Sequence, residues 1–350
     1  MRRVAPGHPR AADPQLGTAA GPESVSMAAA RTAATAALVL AAAACGPADV
    51  APTAPAATAP SLARGGSDAP ATATRFAPDV ISDAREQWRI TFTPDGRTAY
   101  FATSDRFFPF SRQATIYVSY LGRDGWSAPE VASFSGTYSD IDPFLSPDGR
   151  RLYFSSIRPV DGVARRDIDL WVVERTPSGW GEPRWLGPEV NSPADELYPS
   201  VDARGTLYFA SGPQFPQPGA HFDIYRAERR GSGFAPREAL PLTVNTVPTA
   251  GGGLQDAWEF NPEISVDGRT LVFTSLRPGG YGLGDLYVSH LRGGRDGEWT
   301  PARNLGPLVN TRADEYHPTL TRDRRTLYFV RRGPAPGDFY RIGTRALDLR

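Results

Sequence analysis

One segment type recurs five times along the chain: FTPDGRTAYF (Phe92–Phe101), LSPDGRRLYF (Leu145–Phe154), VDARGTLYF (Val201–Phe209), ISVDGRTLVF (Ile264–Phe273) and LTRDRRTLYF (Leu320–Phe329). Their closing phenylalanines lie 53, 55, 64 and 56 residues apart. Asp-Gly between two alternating runs is a strong local signal for a hairpin, because glycine accepts a positive φ without a Cβ clash. Ahead of each turn, apolar residues fall at every second position: Trp88, Ile90 and Phe92; Leu197, Pro199 and Val201; Tyr316, Pro318 and Leu320. That period predicts an inner strand with one buried face. A third run follows each hairpin (IYVSYL, DLWVVE, DIYRAE, DLYVSH, DFYRIG). A fourth is marked by an aromatic residue and then proline: Trp126–Pro129, Trp180–Pro183, Phe234–Pro236 and Trp299–Pro301. Proline donates nothing to a ladder, so this last strand belongs at an outer edge.

A repeat of this length built from four short strands predicts an all-β fold, a five-bladed β-propeller of four-stranded antiparallel blades. The fifth unit reaches Arg350 without its fourth strand, while RFAPDVIS (Arg75–Ser82) matches GFAPREAL (Gly233–Leu240). The N-terminal strand is therefore expected to complete the last blade, closing a domain over residues 75–350 with no unpaired edge.

The hairpins Thr93–Gly96, Ser146–Gly149 and Ser265–Gly268, with the weaker Asp202–Gly205 and Thr321–Arg324, resemble the TolB-type (WD40-like) propeller repeat family. The stretches LGPEVNSPADELYP (Leu186–Pro199) and LGPLVNTRADEYHP (Leu305–Pro318) are similar to that family too. The resemblance covers nearly the whole domain. It implies periplasmic or extracellular scaffolding and binding more often than catalysis, and it supplies no universal catalytic residue. Ser265–Gly268 is also similar to the sialidase Asp-box, but lacks the residue between aspartate and glycine.

Residues 27–45 read MAAARTAATAALVLAAAAC, a short start with Arg31, an apolar run from Ala33 to Ala44, then the sole cysteine. The run has the length of a signal-peptide core and is too short for a comfortable membrane span. It resembles a bacterial lipoprotein signal with Cys45 as the lipidated residue, although Ala42 stands where leucine is usual. An ordinary secretory signal is the alternative. Residues 1–26 read as an upstream extension ahead of Met27. Residues 46–74, rich in Ala, Pro, Thr and Ser, cannot bury a core and are expected to form an extended tether.

Lys+Arg and Asp+Glu both number 38. This balance gives no compositional argument for nucleic acid or an anionic membrane surface. One cysteine excludes an internal disulfide framework and any Cys-based zinc site, and four histidines without HExxH argue against a His-rich catalytic metal. No cofactor is expected. Channel carboxylates could take Ca2+, but no ligand loop of fixed spacing supports it.

In a four-stranded blade the second-to-third and fourth-to-first connections emerge at one end of the ring. Here these are the long ones: Thr103–Ala114 with Phe107, Phe108 and Phe110; Arg158–Arg166; Gly212–His221 with Phe215; Arg277–Gly284 with Tyr281; and Thr246–Ala257 with Gly251, Gly252 and Gly253. Binding residues concentrate on such loops. Aligned on the hairpins, Gln87, Asp140, Glu196, Glu259 and Glu315 form one inner-strand column, whose near-uniform acidity suggests a structural role. Two residues on, Arg89, Asp142, Tyr198, Asn261 and His317 differ in every blade, as ligand-binding residues would. Asp169, Asp223, Asp285 and Asp338 at the start of the third strand, and Arg158 and Arg277 after the second, recur as structural contacts do.

These features predict a non-catalytic, lipid-anchored envelope propeller, monomeric, periplasmic or at the cell surface, binding a protein or a glycan or cell-wall ligand on its long-loop face. The alternative is a carbohydrate-active hydrolase using Asp142 with Glu196 or Glu259, since glycosidases need two carboxylates across a site. No G-x-S-x-G elbow, P-loop or dinucleotide fingerprint is present.

Overall fold

Four of the five recurrent hairpins close through the same side-chain bonds. In the first, the Gly96 N–H donates to the Thr93 carbonyl at 2.7 Å, and the Thr93 hydroxyl donates to Asp95 at 2.6 Å while accepting the Thr98 N–H at 3.0 Å. Asp95 also accepts the Arg97 N–H at 3.0 Å. The set is repeated at Ser146 with Asp148, Ser265 with Asp267, and Thr321 with Asp323. In the third unit Asp202 stands in the hydroxyl's place and itself accepts the Arg204 and Thr206 N–H groups. The turn's last position is left-handed at Gly96, Gly149, Gly205 and Gly268, and also at Arg324, with φ of 56°.

The architecture is that of a computed structural model, which describes residues 69–214, 221–248, 257–294, 297–347 and 349. Cys45, the signal segment and nearly all of the expected tether lie outside the described residues, as do Phe215 and Gly251–Gly253. The described chain enters as β1 (Thr74–Arg75) and builds a first blade from β2 (Glu86–Phe92), β3 (Thr98–Ser104), β4 (Thr115–Tyr120) and β5 (Glu130–Val131). The second blade is β6 (Asp140–Leu145), β7 (Arg151–Ser156), β8 (Asp169–Thr176) and β10 (Arg184–Trp185), with β9 (Gly179–Trp180) paired to the end of β8. The third is β11 (Asp195–Val201), β12 (Leu207–Gly212), β13 (Asp223–Ala227) and β16 (Glu238–Ala239), beside the small hairpin of β14 (Arg229–Arg230) and β15 (Gly233–Phe234). In the fourth, β17 (Glu259–Ile264) and β18 (Thr270–Ser275) precede β19 (Asp285–Arg292), on which β20 (Glu298–Trp299) and β21 (Arg303–Asn304) both pair. The fifth is β22 (Asp314–Leu320), β23 (Thr326–Arg332) and β24 (Asp338–Gly343), completed by β1.

The ring is thus a five-bladed propeller closed by its N-terminal strand, with two local differences from the sequence expectation. First, β1 lies before the Phe-Ala-Pro match: Thr74 and Arg75 pair with Arg341 and Tyr340, and the Phe76 N–H bonds the Phe339 carbonyl at 2.7 Å. Positive φ at Ala77 and Asp79 then turns the chain, burying Phe76 and Ile81. Phe76 meets the rings of Phe92, Trp126 and Tyr328 edge-on. Second, in blades two to four the fourth strand is interrupted at its proline, giving two short pieces in place of one, as a missing N–H requires.

The inner strands also depart from strict alternation. Each carries a register shift, between Gln87 and Ile90, Ile141 and Phe144, Leu197 and Ser200, Phe260 and Glu263, and Tyr316 and Thr319. In four blades the bulged pair is a left-handed residue followed by Pro143, Pro199, Pro262 or Pro318. Proline suits this place because an extra residue in a bulge has no ladder partner for an N–H.

Between blades the closing phenylalanines Phe101, Phe154, Phe209, Phe273 and Phe329 are fully buried. Each contributes about 1.5–3 kcal/mol by leaving water. Four of them stack on the third strand's tyrosine, Phe101 on Tyr117, Phe209 on Tyr225, Phe273 on Tyr287 and Phe329 on Tyr340.

Arg324 occupies a turn position that costs an L side chain about 1 kcal/mol. Its partner, Asp267 at 3.3 Å, is half exposed and returns little. Arg324→Gly is expected to raise stability by about 0.5–1 kcal/mol. Gly268→Ala, whose Cβ would lie 2.6 Å from Asp202 Oδ2, is expected to lower it by more than this. Urea midpoints at constant m-value measure both changes.

Candidate functional site at the propeller axis

The first inner-strand column is built from backbone and side chain together. The N–H groups of Gln87, Asp140, Glu196, Glu259 and Glu315 donate to the carbonyls of Gly337, Ala114, Ile168, Phe222 and Gly284, at 2.7–3.1 Å. Each acceptor precedes the third strand of the preceding blade, so the five bonds tie the ring together. The four acidic side chains turn back to their own blades. Asp140 accepts from Ser135, Ser156 and Arg158; Glu196 from Ser192, Ser211 and Arg237. Glu259 accepts from Thr246, Ser275 and Arg277, and Glu315 from Thr311 and Arg331. Backbone N–H groups of Ser192, Thr246 and Thr311 reach three of these carboxylates at 2.8 Å.

Each clasping guanidinium also covers the blade's aromatic pair: Arg237 lies 5.0 Å from the Tyr225 ring, and Arg277 and Arg331 lie 4.7 Å from Tyr287 and Tyr340. The sequence contains no lysine. A planar guanidinium can stack and bond a carboxylate at once, which an ammonium cannot. In the first blade Gln87 replaces the acid; Asp83 there accepts both Gln87 and Arg85, and Arg85 covers Tyr117.

The second column converges on the axis. Arg89, Asp142, Asn261 and His317 are buried and Tyr198 is half-buried. Asp142, Tyr198, Asn261 and His317 take left-handed backbone at the bulges, with φ of 57°, 63°, 52° and 51°, which aims their side chains out of the strand alternation. The Asn261 amide meets His317 Nδ1 at 3.2 Å, and its carbonyl accepts the His317 N–H and the Thr274 hydroxyl. His317 Nδ1 also lies 3.5 Å from Asp142 Oδ1. The imidazole is edge-on to Trp88, Tyr198 and Tyr316. Burial, and then the charge of Arg89, hold its pKa well below the usual histidine range, so the ring is neutral.

Glu263, four residues beyond Glu259, belongs to the cluster although its column (Thr91, Phe144, Ser200, Glu263, Thr319) carries no repeated chemistry to mark it. It takes the Arg89 guanidinium and accepts the Leu320 N–H at 3.0 Å. Arg89 also donates to the Pro262 carbonyl and lies over the Phe144 ring. The same column stitches neighbouring blades: Thr91 and Ser200 accept the Leu145 and Ile264 N–H groups, and Thr319 donates to the Ile90 carbonyl. Glu196 and Glu259, the expected partners of Asp142 in a hydrolase, are engaged in their own blades' clasps.

With Arg89 committed to Glu263, Asp142 has no cation of its own. Neither of its oxygens makes a hydrogen bond of ordinary geometry. Burial pushes its pKa up to about 8, while Arg89's charge and the Tyr198 backbone N–H favour the ionised form without matching that cost. Burial likewise pushes Glu263 up to about 7 against the pull of Arg89. Among the described residues no three His, Cys, Asp or Glu side chains gather as they would around a metal ion.

No family model and no curated protein matches the chain. Among solved structures, a TolB candidate from Agrobacterium tumefaciens is similar at 17% identity and a TM-score of 0.43, covering 71% of each chain. TolB from Acinetobacter baumannii is similar at 11% identity and 0.42, over 75% of this chain and 55% of that one. The endo-arabinase from Bacteroides thetaiotaomicron is similar at 13% identity and 0.46, over 75% and 96%. The chain spans little more than half the length of the Acinetobacter TolB, and the likeness extends to the propeller fold alone.

A carboxyl whose folded pKa is raised binds its proton more tightly in the folded state. Its stabilising effect is present at low pH and is lost as pH rises from the unfolded value near 4 towards 8. Asp142→Asn keeps the shape and removes the titration. It is expected to be more stable than the parent by about 1–3 kcal/mol above pH 8, with the advantage shrinking towards pH 4. Denaturation midpoints across that range read the difference, and an advantage that grows on acidification refutes the assignment.

Proposed function

We propose that this chain is a non-catalytic propeller of the bacterial cell envelope, held by a lipid on Cys45, which binds a protein or glycan ligand on its long-loop end. The observation that carries this reading is the distribution of exposed apolar side chains. Among the described residues, large apolar side chains exposed to solvent include Phe110, Val163, Tyr281 and Leu283 in the second-to-third connections. Tyr138, Leu242, Val247 and Leu308 join them in the fourth-to-first connections, leaving only Tyr120 and Val131 elsewhere. Both kinds of connection emerge at one end of the ring. Apolar surface gathered on one face, on loops carried by a rigid ring, is what a contact surface requires.

The hydrolase reading has less support. Asp142, Glu196 and Glu259 are each 0% exposed, whereas a glycosidase needs both carboxyls against substrate. Support for the anchor is the apolar run ending at Cys45.

A photo-crosslinking residue at Tyr281 or Phe110 is expected to give discrete adducts in cells, and none at Tyr120 on the opposite end. Purified protein is expected to bind one class in a panel of glycans and cell-wall sacculi without releasing product, if the ligand is a glycan. Turnover abolished by Asp142→Asn overturns the reading in favour of an enzyme. Mass spectrometry of the mature N-terminus is expected to show a lipidated Cys45, and an unmodified thiol there removes the anchor.

A further inference from the structure

The opposite end of the ring, where the Asp-Gly hairpins turn, holds a cavity of about 500 Å³ lined by turns from four of the five blades. That volume is in the range of small-molecule sites. In a chain with equal numbers of acidic and basic residues, its lining carries Arg151, Arg204, Arg229 and Arg322 against only Asp148 and Asp202.

Both acids are already in use. Asp148 accepts the Ser146 hydroxyl and the Arg150 N–H, and Asp202 takes two backbone N–H groups and the Arg204 guanidinium. Arg151 is likewise held, by Glu174 beyond the lining, at 2.9 Å. Two cations remain. Arg229 donates through Nε to the Gly231 carbonyl and rests near the Phe234 ring, but has no ion pair among the described residues. Arg322 is exposed and, among the described residues, makes neither hydrogen bond nor ion pair.

Arg322 also breaks the repeat. The second turn position is Pro94, Pro147, Ala203 and Val266 in the other blades, none of them charged. Part of the lining is apolar and firm. Val201, Ala203 and Val266 form it, and the Ala203 N–H donates to the Val266 carbonyl of the next blade at 2.8 Å. A guanidinium presents a planar fork of donors matched to the oxygens of phosphate or carboxylate.

The geometry points to a binding site for a small organic anion, its charge carried on phosphate or clustered carboxylates held by Arg229 and Arg322, and its carbon body laid on Val201, Ala203 and Val266. The site is at the other end of the ring from the proposed ligand face and does not rest on that reading.

Calorimetric titration of the full chain at fixed ionic strength, with inorganic pyrophosphate and with citrate as separate probes, tests it. At least one probe is expected to bind saturably, one per chain. Arg322→Gln and Arg229→Gln should each weaken that binding about tenfold or more, the loss of a charge-assisted hydrogen bond. Arg123→Gln, an exposed arginine outside the cavity, should leave it unchanged. Pyrophosphate alone identifies a phosphate site, and citrate alone a carboxylate site. The proposal is overturned if neither probe saturates, or if Arg123→Gln weakens binding as much as the two cavity variants. Arg322 and Arg123 are exposed and Arg229 is half-buried, and matching circular dichroism spectra confirm that the variants fold.

Discussion

Five backbone hydrogen bonds hold the ring, each from the first or second residue of an inner strand to the carbonyl just ahead of the preceding blade's third strand. A buried backbone donor must find a partner, and these bonds use no side-chain atom, so any residue with a backbone N–H can make them. Closure depends on the fifth, from Gln87 to Gly337, together with β1 on β24 and the Thr319 hydroxyl on Ile90. Without β1, Tyr340 and Arg341 would present an open strand edge. The acids of the first column follow from this arrangement. A side chain placed at a blade junction meets the Ser or Thr of the incoming loop and an arginine stacked on the aromatic pair, and a carboxylate satisfies both.

Much of this was legible in the sequence, and the failures share one physical origin. The hairpins were readable because their bonding is local: a hydroxyl, an aspartate and a left-handed residue within six positions. Five blades and a closing N-terminal strand followed from the period and the missing fourth strand. What could not be read was the offset of each element from ideal register. The match over Arg75–Ser82 suggested that this stretch would lie along the last blade, but the pairing falls to Thr74 and Arg75, because Ala77 and Asp79 turn the chain away. The inner-strand bulges were hidden because proline at alternate positions, as in Leu197, Pro199 and Val201, mimics an uninterrupted apolar face.

The bulges decide the character of the axis. A left-handed residue ahead of proline throws one side chain per blade out of alternation, so the second column can differ freely while the strands on either side keep their pairing. The column was legible by alignment. Glu263 was not, since its four equivalents are Thr91, Phe144, Ser200 and Thr319. Of the clasping arginines, only Arg158 and Arg277 were legible, as a recurrence after the second strand; the others come from within that strand (Arg331), from beside the fourth (Arg237) and from ahead of the first (Arg85). Side chains that converge from different sequence offsets leave no periodic trace.

A repeat protein allows one more distinction, between departures that its neighbours absorb and departures that they do not. Gln87 breaks a column of acids, but Asp83 supplies the missing charge to Arg85, so the blade keeps its clasp. Arg89 stands where other blades have shorter or neutral groups, and Glu263 answers it. Both irregularities are settled within the fold. Arg322 has no such answering group: it replaces an apolar turn residue, faces a cavity and pairs with nothing among the described residues. Folding stability gains nothing from an unpaired cation at a turn, and an irregularity that the fold does not use is better explained by something the fold does not contain.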